Sequence, residues 1–563
     1  MGERNRERKR TASTPALFAA TLLAAAALST AAPIRSRGPA RLVVFIVVDQ
    51  ARYDYFTRFR PLFRGGLRYL LEESAVFADA HHDHAITTTA PGHASLATGS
   101  HPARSGIVDN TWFDRQRGRR VHSFGDPDAP ILPVGNERLS SPGRSPRNLL
   151  RSTFADWLKQ RHPAARVFAV GGKDRAAIPL AGRSANGVYW FDSSVGQWVT
   201  SRHYRADYPA WLEALHAAKM ADSYFGQPWE PLPVAGDEYR RAGIVLVEGR
   251  GAARAFSYAL GGSSFRPETS FYSDFFQSPF VDQSLVTVAK ALLDKEELGR
   301  DDSPDFLGLA FSAVDAVGHA YGPNSPEILD TFLRLDRELG ELFAHIDATV
   351  GLRHVAFALS ADHGVMPLPE TPPRGGASGQ RSSNENAICI QNVAGKLEKR
   401  LGDESWLRDG LYLDYAALGR RNLRREDVER ELARLLEECP AVEKAWTRTE
   451  LETRAGTGPR AEQFRHSFHP DRSPDVLLQY KAFHTDQRDG GTTHGSPYEY
   501  DTHVPLLLSL PGLAAVMVPE RVRTVDLAPT LACLLGIPAP EGLDGVDRSE
   551  LLRERAAKTG RPR

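Results

Sequence analysis

Cysteine is scarce in this chain, with Cys389, Cys439 and Cys533 the only three among 563 residues. An odd and widely spaced set is unlike a disulfide framework, so all three are expected as small buried apolar residues. Net charge is missing too, because 70 Lys and Arg balance 70 Asp and Glu. No global field then favours nucleic acid or an anionic membrane surface, and any attraction for anions has to be local. Long apolar runs are also lacking. The Ala/Leu run at residues 16–28 falls short of the ~20 residues that span a bilayer, and no second run follows, which excludes a polytopic membrane protein. There is no internal repeat, and no GxGxxG, P-loop, GxSxG or paired CxxC motif. Chemistry is therefore left to scattered carboxylates, histidines and hydroxyls.

Residues 1–40 differ from the rest, with a leader expected over 1–32. A basic start (Arg4, Arg6, Lys9, Arg10), the apolar run and the small residues that end it read as a secretory signal peptide, which predicts a periplasmic or secreted product. The length allows roughly two to four domains, or one large catalytic domain; a single domain is expected over residues 40–555 with insertions at about 196–270 and 370–470.

LVVFIVVD, residues 42–49, is a continuous β-branched run of the kind found in a central parallel strand covered on both faces. HVAFALSADHG (354–364) repeats that logic, and RVFAVGGKDR (166–175) and FLGLAFSAVD (306–315) add two more. The runs from Pro474 and Val504 continue the series. Helices are predicted at 146–161, 283–298, 326–349 and near 424–438. The fold class is then α/β, a mostly parallel sheet with helices on both faces. Asp49 and Asp362 close their strands at the C-terminal end, where open α/β sheets place ligands.

TTTAPGHASLATG (87–99) sets Thr89 at the mouth of a helix that Pro91 tolerates in its first turn, where the positive end of the helix dipole favours phosphate. Thr89 is the candidate nucleophile, with Thr87 and Thr88 as neighbours able to take the role; a plain N-cap is the commoner meaning of an isolated Thr-Ala-Pro. Asp315 and His319, four apart, share a face if helical. Read alone, they suit an Asp cap and a surface histidine equally well. Asp362 and His363 converge only at a strand-to-loop junction, and His494 stands in TTHGS. Asp49, Asp315, His319, Asp362, His363 and His494 together are enough to hold two divalent metals by three groups each, and metal coordination is one of few ways to make an alcohol nucleophilic. Lys173 and Arg175 share a face if the backbone is extended and would neutralise a phosphate monoester; an exposed charge pair is the blander reading. Asn110 is either an amide donor to the same oxygens or a turn residue. HHDH, residues 81–84, is read as a polar loop more than as a metal site.

VVDQAR, TAPGHASLATG, NTWFD, KDR, SAVDAVGHAYGP, SADHG, THGSPYEYDTHVP and DLAPTLACLLGIP occur in the order found in the alkaline phosphatase superfamily. The chain most resembles the phosphate-irrepressible bacterial alkaline phosphatases that use threonine, neighbours of the nucleotide pyrophosphatase/phosphodiesterases. That resemblance implies a three-layer sandwich with cap-like insertions, and a phosphomonoester hydrolase with a phosphothreonine intermediate and two Zn2+ ions. Asp49, Thr89, Asp362 and His363 would surround one ion and Asp315, His319 and His494 the other, with His503 a lower-ranked candidate at the second. Asn110, Lys173 and Arg175 would contact the phosphoryl oxygens. Asp109 stands where relatives are expected to carry glycine. Sulfatases share the fold but need a cysteine or serine in a Pro-Ser-Arg context, which Thr89 lacks. A phosphodiesterase, and a silent phosphate-ester binding protein, are the alternatives. The expected partner is a small phosphate ester, with no nucleic acid, no stable membrane insertion and no protein partner.

Overall fold

The computed structural model describes residues 40–558 except 136, 138, 140, 245–256, 263, 371–379, 382–383, 403 and 486–489. The expected signal peptide at 1–32, and parts of both expected insertions, lie outside the described residues. The strands that matter here are β1 (Leu42–Val48), β2 (Ala75–His81), β3 (Val167–Gly171), β4 (Gly187–Asp192), β5 (Gln197–Val199), β6 (Asp305–Phe311), β7 (Val355–Ser360), β8 (Val442–Thr447), β9 (Val476–Tyr480), β10 (His503–Ser509) and β11 (Met517–Arg523). Nine of them form one sheet in the order β11-β2-β10-β7-β1-β6-β3-β4-β5. The centre is parallel: β1 pairs with β6 and β7, and β6 with β3.

β1 is buried along its whole length and alternates between two cores. Leu42, Val44, Ile46 and Val48 enter one apolar cluster, and Val43, Phe45 and Val47 the other. Each such side chain, fully buried, contributes about 1.5–3 kcal/mol. The sheet is sandwiched by helices α1 (Thr89–Thr98), α2 (Phe154–Arg161), α3 (Asp174–Ala181), α4 (Phe280–Lys295), α5 (Ala313–Tyr321), α6 (Pro326–Thr349) and, near the C-terminus, Leu527–Leu534. α4 and α6 contribute to the first core, and α1, α2 and α3 to the second. The result is a three-layer α/β structure.

Several local expectations change. The helix expected from 146 begins at Phe154, because Thr153 and Asp156 cap it reciprocally, and Pro146–Asn148 is a separate 3-10 turn. β10 belongs to the main sheet but runs antiparallel to β7 and β2. β9 is not in that sheet; it pairs antiparallel with β8. β5, inside the range expected as an insertion, is an edge of the central sheet.

β8 and β9 join α7 (Asn384–Leu401) and α8 (Arg425–Glu437) around a separate apolar cluster that includes Val393, Trp406, Leu432 and Val476. Here the cysteine expectation fails. Cys389 of α7 is bonded to Cys439, just past α8, and Cys533 is exposed. Packing of the two helices brings together residues 50 apart in sequence, a proximity that spacing alone does not reveal.

Candidate active site

The register aligns the strand ends: Val48 lies beside Phe311, Val47 beside Ser360, and Ala310 beside Gly171. Asp49, Asp315, Asp362 and Lys173 consequently leave the sheet at the same edge, each just past its strand. Gln50, which the sequence analysis passed over, knits them together. It turns the chain with φ 68°, its N–H donates to Asp362 Oδ1 at 3.0 Å, and its side-chain amide donates to Asp315 Oδ1 at 2.7 Å. The only signal for it was its place directly after Asp49.

Asp49, Asp362 and His363 form one buried group, and Asp315, His363 and His494 another; within each, ligand atoms lie within 4.8 Å of one another. His363 therefore faces both groups. His363 Nε2 is 3.5 Å from Asp49 Oδ1 and 3.3 Å from Asp362 Oδ2. His319 Nε2 is 3.2 Å, and His494 Nε2 3.6 Å, from Asp315 Oδ1. Two ligands on a tetrahedral ion with bonds of about 2.0–2.1 Å are separated by about 3.3 Å, so this spacing fits shared coordination. Asp49 Oδ1, Asp362 Oδ2 and His363 Nε2 are buried without a hydrogen-bond partner.

The tautomers agree. With Nδ1–H donated to the backbone carbonyl of Thr492 by His319, of Gly364 by His363 and of Thr87 by His494, each ring presents an Nε2 lone pair to the carboxylates. Burial, with His363 and His319 nearby, holds His494 well below the usual imidazole range and hence neutral. Burial raises Asp49 well above the carboxylate range, and the adjacent Asp315 and Asp362 charges add to it. Burial also opposes ionisation of Asp315, but Lys173 and His319 override it and hold that carboxyl well below its usual range. Three carboxylates against one lysine make a donor set suited to divalent cations.

Thr89 opens α1, with Thr88 as the extended residue before it. Thr87 donates its hydroxyl to the Ser496 carbonyl at 2.9 Å, and Thr88 to Asp109 Oδ1 at 3.0 Å. The Thr89 hydroxyl meets no hydrogen-bond partner among the described residues. His93, also missed from sequence, lies one turn on. Its Nδ1 is 3.0 Å from the Thr89 carbonyl and 3.1 Å from Asp362 Oδ2, and so couples the helix start to the first group. Gly92 permits that approach, since a Cβ there would stand 2.1 Å from the Asp362 carbonyl oxygen.

Asn110 accepts from the Ala90 N–H at 2.9 Å through Oδ1, which leaves its NH2 as a donor, and Asp109 Oδ1 accepts the Asn110 N–H at 2.7 Å. Asp109, the departure from the expected glycine, thus ties Asn110 to Thr88. Lys173 Nζ is 2.5 Å from both Asp49 Oδ2 and Asp315 Oδ2. Lys173 is extended, but Arg175 lies in the first turn of α3, so the two do not share an extended face as expected. The chain turns into a helix at Asp174, whose carboxylate pairs with Arg144. Arg175 Nε is buried without a hydrogen-bond partner.

His503 is excluded from the second group: it stacks between Tyr53 and His81, with Nε2 2.9 Å from the Ala78 carbonyl. In the HHDH segment His81 ends β2 and residues 82–84 form a loop as expected, but a buried one, with His81, His82 and His84 all shielded from solvent.

Residues 43–496 match the family described as type I phosphodiesterase / nucleotide pyrophosphatase. The chain is 29% identical over 530 residues to alkaline phosphatase PafA of Elizabethkingia meningoseptica, covering 91% of this chain and 94% of the relative. It is 30% identical to alkaline phosphatase PhoV of Synechococcus elongatus, covering 91% of this chain and 93% of that one, and 31% identical to PhoK of a Sphingomonas species, covering 90% of each. The crystal structure of wild-type PafA superposes with a TM-score of 0.81 at 28% identity, covering 92% of this chain and 99% of that one.

Proposed function

Because the chain belongs to the type I phosphodiesterase / nucleotide pyrophosphatase family, and relatives across nearly its whole length, PafA, PhoV and PhoK among them, are named alkaline phosphatases, we propose that it is a phosphomonoester hydrolase acting through a phosphothreonine at Thr89. The observation that carries this reading is the engagement of the Thr87 and Thr88 hydroxyls by Ser496 and Asp109, which leaves Thr89 as the uncommitted hydroxyl of the triplet. Asp49, Asp362, His363 and Thr89 would hold one zinc ion, and Asp315, His319 and His494 a second. Bound there, the ions supply Lewis acidity that favours the alkoxide form of the threonine and offsets charge on the departing oxygen.

The chain's own groups do the rest. Thr89 Oγ forms a bond to phosphorus as the bond to the ester oxygen breaks, and that oxygen leaves with the electron pair and takes a proton. Water then attacks phosphorus, and the Thr89 oxygen departs as the second leaving group. Lys173, with one N–H beyond the two given to Asp49 and Asp315, and Arg175 neutralise phosphoryl oxygens, while the Asn110 amide donates to another. The start of α1 adds the positive end of its dipole.

Phosphodiester hydrolysis is the second reading, favoured by the description of the matched family. A periplasmic or secreted location accords with the Cys389–Cys439 bond, since such bonds persist in oxidising compartments. Zinc-loaded protein assayed on an aryl phosphate and on the matching diester tests the proposal. A faster monoester reaction, with acid-stable phosphate on Thr89 that Thr89→Ala abolishes and Thr89→Ser retains, is the expected result. A preference for the diester, or label on Thr87 or Thr88, would overturn it.

A further inference from the structure

We propose that Asp83, His101 and His466 form an additional metal site, outside the constellation at the strand ends, that takes a zinc-class divalent cation. One ligand atom from each lies within 4.8 Å of the others. His101 Nδ1 is 3.4 Å from Asp83 Oδ1, and His466 Nδ1 is 3.6 Å from Asp83 Oδ2. These separations are long for hydrogen bonds and match the edge of a tetrahedron built on metal bonds of about 2.0–2.1 Å. They also repeat the 3.2–3.6 Å imidazole-to-carboxylate spacing at the strand-end groups.

The donors are poorly served otherwise. His101 is 3% exposed, yet both its ring nitrogens are buried without a hydrogen-bond partner, as is Asp83 Oδ1. The rings of His101 and His466 stack with centroids 3.9 Å apart, and the Nδ1 of each lies within 3.6 Å of an Asp83 carboxylate oxygen. Neighbouring His84 is fully buried with both nitrogens likewise unpartnered. Leaving such groups unpaired is costly, and a cation bound to neutral imidazoles and a carboxylate removes that cost. His466 Nδ1 also lies 2.6 Å from the Asp83 carbonyl, so ligation through Nδ1 uses the tautomer that carries its proton on Nε2 and gives up that hydrogen bond. Arg523 Nη1 comes no closer than 4.0 Å to Asp83 Oδ2, while its Nη2 donates to Asp526 at 3.0 Å and to the Asp544 carbonyl at 2.8 Å. A cavity of about 530 Å³ is bordered by Asp83, Glu462 and Gln463.

The three ligands come from separate elements. Asp83 lies between β2 and α1, His101 caps the short helix Pro102–Ser105, and His466 belongs to the helix Ala461–Ser467. That last helix already docks on the segment leading to Thr89, as Ser467 Oγ accepts the N–H groups of Ala85 and Ile86 at 2.8 and 3.1 Å. A bound ion would pin this contact.

The test is zinc content by mass spectrometry of the full-length protein, dialysed after zinc loading, for wild type, His466→Gln and His101→Asn. Each variant is expected to hold one equivalent less than wild type, to show a smaller zinc-dependent rise in melting temperature, and to keep its hydrolytic activity at saturating zinc. Circular dichroism checks the fold, and Asp83→Asn replaces any variant that misfolds. Cobalt loading gives an independent signal, the absorption of tetrahedral Co2+, which should fall by one site's share. Equal metal content in wild type and in folded variants would overturn the proposal.

Discussion

Two glycines decide how closely the reacting groups approach, and they differ in what stands opposite. A Cβ at Gly92 would lie 2.1 Å from the Asp362 carbonyl oxygen, which is backbone, whereas one at Gly318 would meet Gln50 Oε1 at 1.8 Å, the end of a side chain that can rotate. Gly92→Ala is therefore expected to destabilise by more than the ~1–3 kcal/mol usual for overpacking. Gly318→Ala should fall within that range, at the cost of the Gln50 bridge between Asp315 and Asp362. Denaturant unfolding of both variants checks the order, and a larger loss for Gly318→Ala would contradict it. In the proposed reaction, Lys173 and Arg175 would carry the discrimination between esters. A diester has one fewer charged terminal oxygen, and a charge-assisted hydrogen bond is worth about 1.5–3 kcal/mol. Removing either side chain should lower monoester kcat/KM by roughly 10- to 100-fold and affect the diester less. Parallel assays of Lys173→Ala, Arg175→Ala and the double variant measure this; an equal loss on both substrates would show that the pair does not read the phosphoryl group.

At the scale of elements, α4 supports the site through Asp282, which is fully buried. Its carboxyl accepts the N–H groups of Ser312 and Ala313 at the start of α5, the helix that carries Asp315 and His319. Burial raises its pKa from 3.8 to about 7. The folded state thus holds a proton that the unfolded chain releases near 3.8, so this contribution is intact at low pH and is lost as pH rises through about 7. Asp282→Asn should flatten the decline in stability across that window, as read from unfolding free energies at a series of pH values; an unchanged slope would refute it. The apolar runs at 42–49 and 354–364 made the strand ends legible, and with them Asp49 and Asp362. Direction was not legible, because an apolar run such as 504–510 reads the same whether a strand is parallel or antiparallel. Arg175 was misjudged because a strand-to-helix turn in GGKDR leaves no periodicity to detect. Gln50 and His93 act through backbone geometry and contacts hundreds of residues away, which no local pattern encodes.

For the molecule as a whole, the Cys389–Cys439 bond closes a long loop across the module with its own apolar cluster. In the chain-entropy account, a closed loop of about 50 residues is worth roughly 4 kcal/mol at 25 °C. Cys389→Ser should lower the stability of that module by up to this amount and speed its proteolysis, while the central sheet, whose cores are separate, unfolds as before. Limited proteolysis with and without reductant provides the measurement, and indifference to reductant would count against a stabilising role.

The strand-end constellation gathers side chains from residue 49 to residue 494, with Lys173 and the threonine helix between them. A ribosome delivers these in order, and no nascent chain can present the whole donor set until the last histidine has emerged. If the group binds ions as proposed, their capture is deferred to the end of synthesis, and a chain exported unfolded would have no assembled cluster with which to carry them across. The compartment in which the sheet finally closes would then be the one that chooses the ions.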